Sequence, residues 1–308
     1  MGKIAFVFSG QGAQAPGMGH ELYEKSPAAR AIFDRAEEIR PGTLRQCFEG
    51  TAAELQETCN TQPCMFAVEL AAAAALREAG ICADMAAGFS LGEIAALTWT
   101  GVADFDTGFK LVCRRGELMQ QAAEQQDTAM AAVLKLPEAE VERICADIPG
   151  MYPVNYNCPQ QVAVAGPREA MSDLSAAVRA AGGRAVPLKV RGGFHSPYMQ
   201  TAAEEFRRVL QETELKMPQV PLYSNLTGRP YCADDDFVEM LSQQIMNPVR
   251  WETIVRGMIA AGADTFIECG PGKTLCGLIN KTDKLVKTWP MQSTENLEGI
   301  LAEVNGNG

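Results

Sequence analysis

Histidine is scarce in this chain, with two in 308 residues, so any chemistry that needs an imidazole base must use His20 or His195. Long hydrophobic runs are missing as well. The longest, such as Ile4 to Phe8 and Ala71 to Leu76, fall far short of the about 20 residues a spanning helix needs, which argues against a membrane partner. The N-terminus has no long hydrophobic stretch or cleavage site of the signal-peptide kind, so a cytoplasmic location is expected. Positive charge is in deficit: Lys and Arg total 27 against 38 Asp and Glu, a net charge of −11. That balance disfavours nucleic acid, because phosphates would meet net repulsion. There is no C-x-x-C pair, and no Cys–His cluster has the spacing of a zinc site. The ten cysteines are scattered through apolar patterns, where a reduced thiol behaves as a small hydrophobe.

What is present is ordinary globular material, 47% hydrophobic and 21% charged, enough for a large core. The pattern alternates strands and helices, the signature of an α/β fold. A strand over Lys3 to Ser9 ends in Gly10-Gln11-Gly12. Helical patterns cover Pro27 to Ile39, Ala52 to Glu57, and Gln62 to Ala79. A second apolar run, Met85 to Phe89, meets Ser90 and passes directly into a helix-compatible stretch, followed by a helix over Asp104 to Glu124. Between residues 125 and 191 the order becomes strand, helix, two strands, helix, strand, a ferredoxin-like arrangement. The expected organisation is therefore a core formed by residues 1–124 and 192–308, with 125–191 as a small inserted subdomain. Later elements are expected at Pro197 to Glu212, Val220 to Asn225, Asp235 to Ile245, Trp251 to Ala261 and Thr265 to Cys269.

Gly88-Phe89-Ser90-Leu91-Gly92 fits G-x-S-x-G at a strand-to-helix junction. A sharp turn there brings backbone close to backbone, which flanking glycines permit, and leaves the serine oxygen protruding at a helix N-terminus where N–H groups can receive an oxyanion. A helix-capping serine is the bland alternative. Of the two candidate bases, His20 lies in a glycine-rich stretch with no evident partner. His195 precedes Ser196-Pro197, an N-cap and first helical residue, where the helix dipole favours the neutral imidazole that can accept a hydroxyl proton. Arg115 shares a helix face with Leu111, Leu118, Met119 and Ala122, whereas Arg114 lies on the polar face. An arginine on an apolar stripe needs an anion. That anion is either a buried Asp or Glu or a carboxylate on the substrate. Gly10-Gln11-Gly12 fits neither nucleotide-loop pattern, and a tight turn facing the site suits it better.

With these residues identified, the sequence resembles the malonyl-CoA:acyl carrier protein transacylases, the acyltransferase family of fatty-acid and polyketide synthesis. The likeness runs nearly end to end. It rests on Phe6-Val7-Phe8-Ser9-Gly10-Gln11-Gly12, Gly88 to Glu93, Arg115 to Met119, Phe194-His195-Ser196, Asn247 to Trp251, and Glu268 to Lys273. The resemblance implies an α/β-hydrolase-like core with a mainly parallel sheet plus a ferredoxin-like insert, no cofactor or metal, and a monomer. It implies ping-pong transfer from malonyl-CoA to acyl carrier protein, with Ser90 as nucleophile and His195 as base. The backbone N–H groups of Gln11 and Leu91 would form the oxyanion hole, Arg115 would bind the substrate carboxylate, and Gln244 would orient the histidine through its backbone carbonyl. Phe194 before His195 matches the malonyl-selective form of that motif. The family's usual histidine before the nucleophile is replaced by Phe89, which changes the polarity beside the ester.

Three other functions fit some of these residues: a polyketide-pathway acyltransferase of different acyl preference, an acyl-thioester hydrolase, and a non-catalytic carrier-binding module. The acidic carrier would need a local basic patch. Two groups offer one: Lys273, Lys281, Lys284 and Lys287, or Arg184, Lys189 and Arg191.

Overall fold

The computed structural model describes residues 2–306. Among the described residues nine strands form two separate sheets. The main sheet uses β1 (Lys3–Phe8), β2 (Met85–Gly88), β7 (Leu222–Tyr223), β8 (Ala263–Cys269) and β9 (Lys287–Met291) in the order β7-β2-β1-β8-β9. Every pairing in it is parallel. Central β1 has helices on both sides, so its residues are apolar at every position from Ile4 to Phe8 rather than alternating with polar ones. Successive side chains still alternate between faces. Ile4, Phe6 and Phe8 enter the larger core beneath the helices Thr58–Glu78 and Gly92–Trp99, while Ala5 and Val7 enter a second core with Trp251, Ile254 and Phe266.

The second sheet is antiparallel and comprises β3 (Thr128–Leu134), β4 (Tyr152–Cys158), β5 (Gln161–Pro167) and β6 (Arg184–Pro187), in the order β4-β5-β3-β6. With helices Glu138–Asp147 and Met171–Ala180 between its strands, the segment has the β-α-β-β-α-β order expected from the sequence. It encloses its own apolar cluster, including Val133, Val141, Ile144, Val164 and Leu174. Paired hydrogen bonds between β4 and Val249 tie this sheet to the chain just before Trp251.

Several boundaries differ from those read in the sequence. The helix expected from Gln62 begins at Thr58, with Pro63 inside it. Pro63 lies in the second turn, where it forgoes the one bond an N–H would give to the Cys59 carbonyl, and at the helix start Thr61 Oγ1 donates to the carbonyls of Leu55 and Glu57. The stretch expected as a helix from Ala52 is only a short 3₁₀ turn, Glu54–Gln56. The strand at Val220 to Asn225 shrinks to Leu222–Tyr223, because the chain leaves the sheet to deliver Ser224 and Asn225 to the interior. The strand β9 and the helix Thr274–Thr282, which follow Cys269, had no counterpart in the sequence reading.

Parallel alignment puts the C-terminal ends of β1, β2, β7 and β8 along one edge. The loops carrying Gln11, Ser90, Asn225 and Gly270 leave from that edge, the place where open α/β sheets gather ligands.

Candidate active site

The strand-to-helix bend at Ser90 is tight enough to force φ to 57°, a left-handed conformation that a serine rarely adopts. The flanking glycines are what allow it. A Cβ on Gly88 would lie 1.9 Å from the carbonyl carbon of Gly92, and one on Gly92 would lie 2.4 Å from the carbonyl oxygen of Phe8. Asn225 holds the bend from the end of β7. Its Oδ1 accepts from the Ser90 N–H at 2.7 Å, and its Nδ2 donates to the Gly88 carbonyl at 2.6 Å.

His195 also has positive φ, 60°, and lies 2.7 Å by Nε2 from Ser90 Oγ. Its Nδ1 lies 2.8 Å from the backbone carbonyl of Gln244. A carbonyl oxygen only accepts, so Nδ1 carries the proton and the Nε2 lone pair faces the serine. Gln244 is the last residue of the helix Phe237–Gln244, where carbonyls lack intrahelical donors. The His195 N–H is fixed in turn by Ile245 O at 3.1 Å. A helix terminus thus stands where an acidic residue stands beside the histidine of a Ser-His-Asp triad. The imidazole is held neutral, its pKa lowered to about 4, but the reason differs from the one read in the sequence. Burial contributes most, followed by the Arg115 charge. The expected helix after His195 opens as a 3₁₀ turn, Pro197–Met199, capped by Ser196, before the helix Gln200–Gln211.

Arg115 is fully buried on the helix Phe105–Glu124, with Leu111, Leu118, Met119 and Ala122 buried beside it as their spacing indicates. Half-buried Arg114 pairs with exposed Glu117. Among the described residues Arg115 forms no ion pair. Its Nη1 donates to Gln62 Oε1 at 2.9 Å, and its Nη2 to Gln244 Oε1 at 2.8 Å and Ser90 Oγ at 3.2 Å. Nε has no partner. Burial lowers its pKa to about 10, which still leaves it charged at neutral pH. A buried cation held by amide oxygens next to the Ser90 hydroxyl can receive an anion brought to that hydroxyl.

The N–H groups of Gln11 and Leu91 donate to no acceptor among the described residues, although Leu91 is fully buried. The Gln11 side chain reaches Thr58 Oγ1 at 3.5 Å. His20 lies apart, exposed, with its ring on Phe48 and Glu24 at 3.9 Å. Phe89 packs against the second core and meets Trp251 edge-on at 5.4 Å between centroids. Gln62, Glu93, Asn225 and Tyr231, all joined to the cluster by hydrogen bonds, were not singled out by the sequence reading. One signal did exist: a carboxylate ahead of Ile94-Ala95-Ala96-Leu97 must be buried, and a buried carboxylate requires donors.

Comparison with known proteins places the chain in a family. Residues 5–296 match the acyl transferase domain family. The malonyl CoA-acyl carrier protein transacylase of Bacillus subtilis (strain 168) is 38% identical, with 100% of each chain covered. That of Synechocystis is also 38% identical, over 91% of this chain and 94% of its own. The crystal structure of the Clostridium perfringens transacylase superposes with a TM-score of 0.95 at 33% identity, covering 99% of this chain and 98% of that one. A malonyl-transacylase solved in complex with a type II PKS acyl-carrier protein gives 0.93 at 33% identity, covering 98% and 99%. No helix among the described residues is long and apolar enough to cross a membrane. Aligned end to end with such transacylases, and with a serine, a neutral histidine and an unpaired buried arginine gathered at one sheet edge, the chain belongs to the acyl transferase family.

Proposed function

We propose that this protein transfers the malonyl group of malonyl-CoA to the phosphopantetheine thiol of acyl carrier protein, by way of an ester on Ser90, in fatty-acid biosynthesis. The observation that carries this reading is the Arg115 guanidinium, buried without a carboxylate partner 3.2 Å from the Ser90 hydroxyl. A malonyl ester places its free carboxylate one methylene beyond the ester carbonyl, within the arginine's range, whereas a neutral acyl group leaves that charge unmet.

The chemistry follows from the hydrogen bonds. His195 Nε2 takes the Ser90 proton as Oγ attacks the thioester carbonyl, and the imidazolium charge is shared with the Gln244 carbonyl through Nδ1. The N–H groups of Gln11 and Leu91 receive the oxyanion. The tetrahedral intermediate collapses by breaking the carbon–sulfur bond, and His195 returns the proton to the departing CoA thiolate. The carrier thiol then gives its proton to His195 and attacks the ester, and Ser90 leaves with that proton restored. No cofactor is required. We take residues 125–191 as a subdomain of a cytoplasmic monomer.

Transfer and hydrolysis begin with the same acyl-serine, so free malonate released must be compared with malonyl-carrier formed. We expect transfer to exceed release by about a hundredfold or more. Equal rates would make the protein a thioester hydrolase, and neither product would make it a carrier-binding module.

For the carrier, the group near the end of the second sheet is favoured. Arg191 is 89% exposed, with Glu57 at 3.9 Å, and it lines a cleft with Gly192 and Thr58, whose Oγ1 accepts from the Gln11 side chain at 3.5 Å. In the other group Lys287 pairs with Glu303 and Lys281 donates to Gln161. Charge reversal at Lys189 and Arg191 should raise KM for the carrier about tenfold and leave Ser90 acylation by malonyl-CoA unchanged. Unchanged carrier kinetics would reject this surface.

A further inference from the structure

Resting on the transfer just described, we propose that Glu93 is a positioning residue: it fixes the polarity of the Gln244 side-chain amide and thereby keeps Arg115 aimed at the acyl group's carboxylate. Glu93 is fully buried on the helix that follows the nucleophile, and the chemical steps do not use it. Its Oε2 accepts from Gln244 Nε2 at 2.9 Å, and that same nitrogen donates to the Ser90 carbonyl at 2.8 Å. The opposite end of the amide, Oε1, accepts from Arg115 at 2.8 Å. Only one orientation of this amide works, because its nitrogen meets two acceptors while its oxygen meets a group that only donates. Turned over, the amide would set N–H against guanidinium and oxygen against oxygen.

The remaining contacts make an ionised carboxylate the right occupant. Glu93 Oε1 accepts from the Asn225 N–H at 3.1 Å and the Tyr231 hydroxyl at 2.8 Å, so every contact to Glu93 is a donor. A glutamine there must turn its NH₂ either toward the Asn225 N–H or toward Gln244 Nε2, and the second choice inverts the Gln244 amide. The charged and titratable groups facing Glu93 are Arg115, from the helix Phe105–Glu124, and the Tyr231 phenol. Gln244 and Asn225 are neutral. Burial outweighs these contacts and raises the Glu93 pKa to about 7, while that of His195 lies near 4. An acid limb of kcat/KM near neutrality is therefore expected from Glu93 rather than from the base. As pH falls through about 7, the carboxylate gains a proton and malonyl transfer declines.

The test measures kcat/KM against pH for malonyl-CoA and acetyl-CoA in the wild-type protein, Glu93→Gln and Tyr231→Phe. We expect Glu93→Gln to lose about tenfold or more with malonyl-CoA, chiefly in KM, to lose much less with acetyl-CoA, and to lose the limb near pH 7. Tyr231→Phe removes a hydrogen bond that lowers the Glu93 pKa, so its limb should move to higher pH. This second variant keeps the test decisive if Glu93→Gln does not fold. Equal losses with both acyl groups, or a limb that stays in Glu93→Gln or does not move in Tyr231→Phe, would overturn the proposal. A wild-type protein that forms no malonyl-serine would instead defeat the transfer reading itself.

Discussion

Replacing His195 by alanine should slow acylation of Ser90 by about a thousandfold while leaving KM for malonyl-CoA nearly unchanged. The serine hydroxyl is a poor nucleophile unless its proton is removed during attack, and the nearest acceptor is Nε2 at 2.7 Å. No second base stands in for it. His20 lies on the exposed surface, and Glu93 reaches the site only through Gln244. Arg115 is untouched by the change, so carboxylate binding persists. Rapid-mixing measurement of the CoA released in the first turnover isolates this step. A burst as fast as that of the wild type would remove His195 from the mechanism.

Arg115→Ala should reverse the acyl preference. We expect kcat/KM for malonyl-CoA to fall about a hundredfold or more, since a desolvated carboxylate would lose its charged donors. Acetyl-CoA should gain or stay level, because a neutral acyl group no longer lies beside an unmet guanidinium. Competition between the two donors, read as the ratio of acyl adducts on Ser90, gives the preference directly. A ratio that still favours malonyl would mean that the carboxylate is held elsewhere. Gln62 and Gln244 lose their shared donor in this variant, so a melting curve should accompany it to confirm that the fold survives.

The parts of the site legible in the sequence were those with a local signature. Ser90 is marked by glycines at −2 and +2 at a strand-to-helix junction, and Arg115 breaks an apolar helix stripe. His195 stands out because only one other histidine exists. The neutral state of its imidazole was anticipated, but the main cause, complete burial beside Arg115, depends on contacts between residues 80 positions apart and has no local mark. Asn225 and Tyr231 were missed for the same reason. They follow a two-residue strand, too short to show a period, and their partners Ser90 and Glu93 lie more than a hundred residues earlier. In the fold, strands buried on both faces and amphipathic helices were readable. The Thr58–Glu78 helix began earlier than expected because its first turn is polar and a proline follows.

Intact-protein mass spectrometry with peptide mapping, after a brief exposure to malonyl-CoA, probes the Ser90–His195 pair most directly. We expect the added mass of one malonyl group, located at residue 90, and no such adduct in Ser90→Ala. An unmodified wild-type protein, or an adduct that survives in Ser90→Ala, would contradict acyl transfer through this serine.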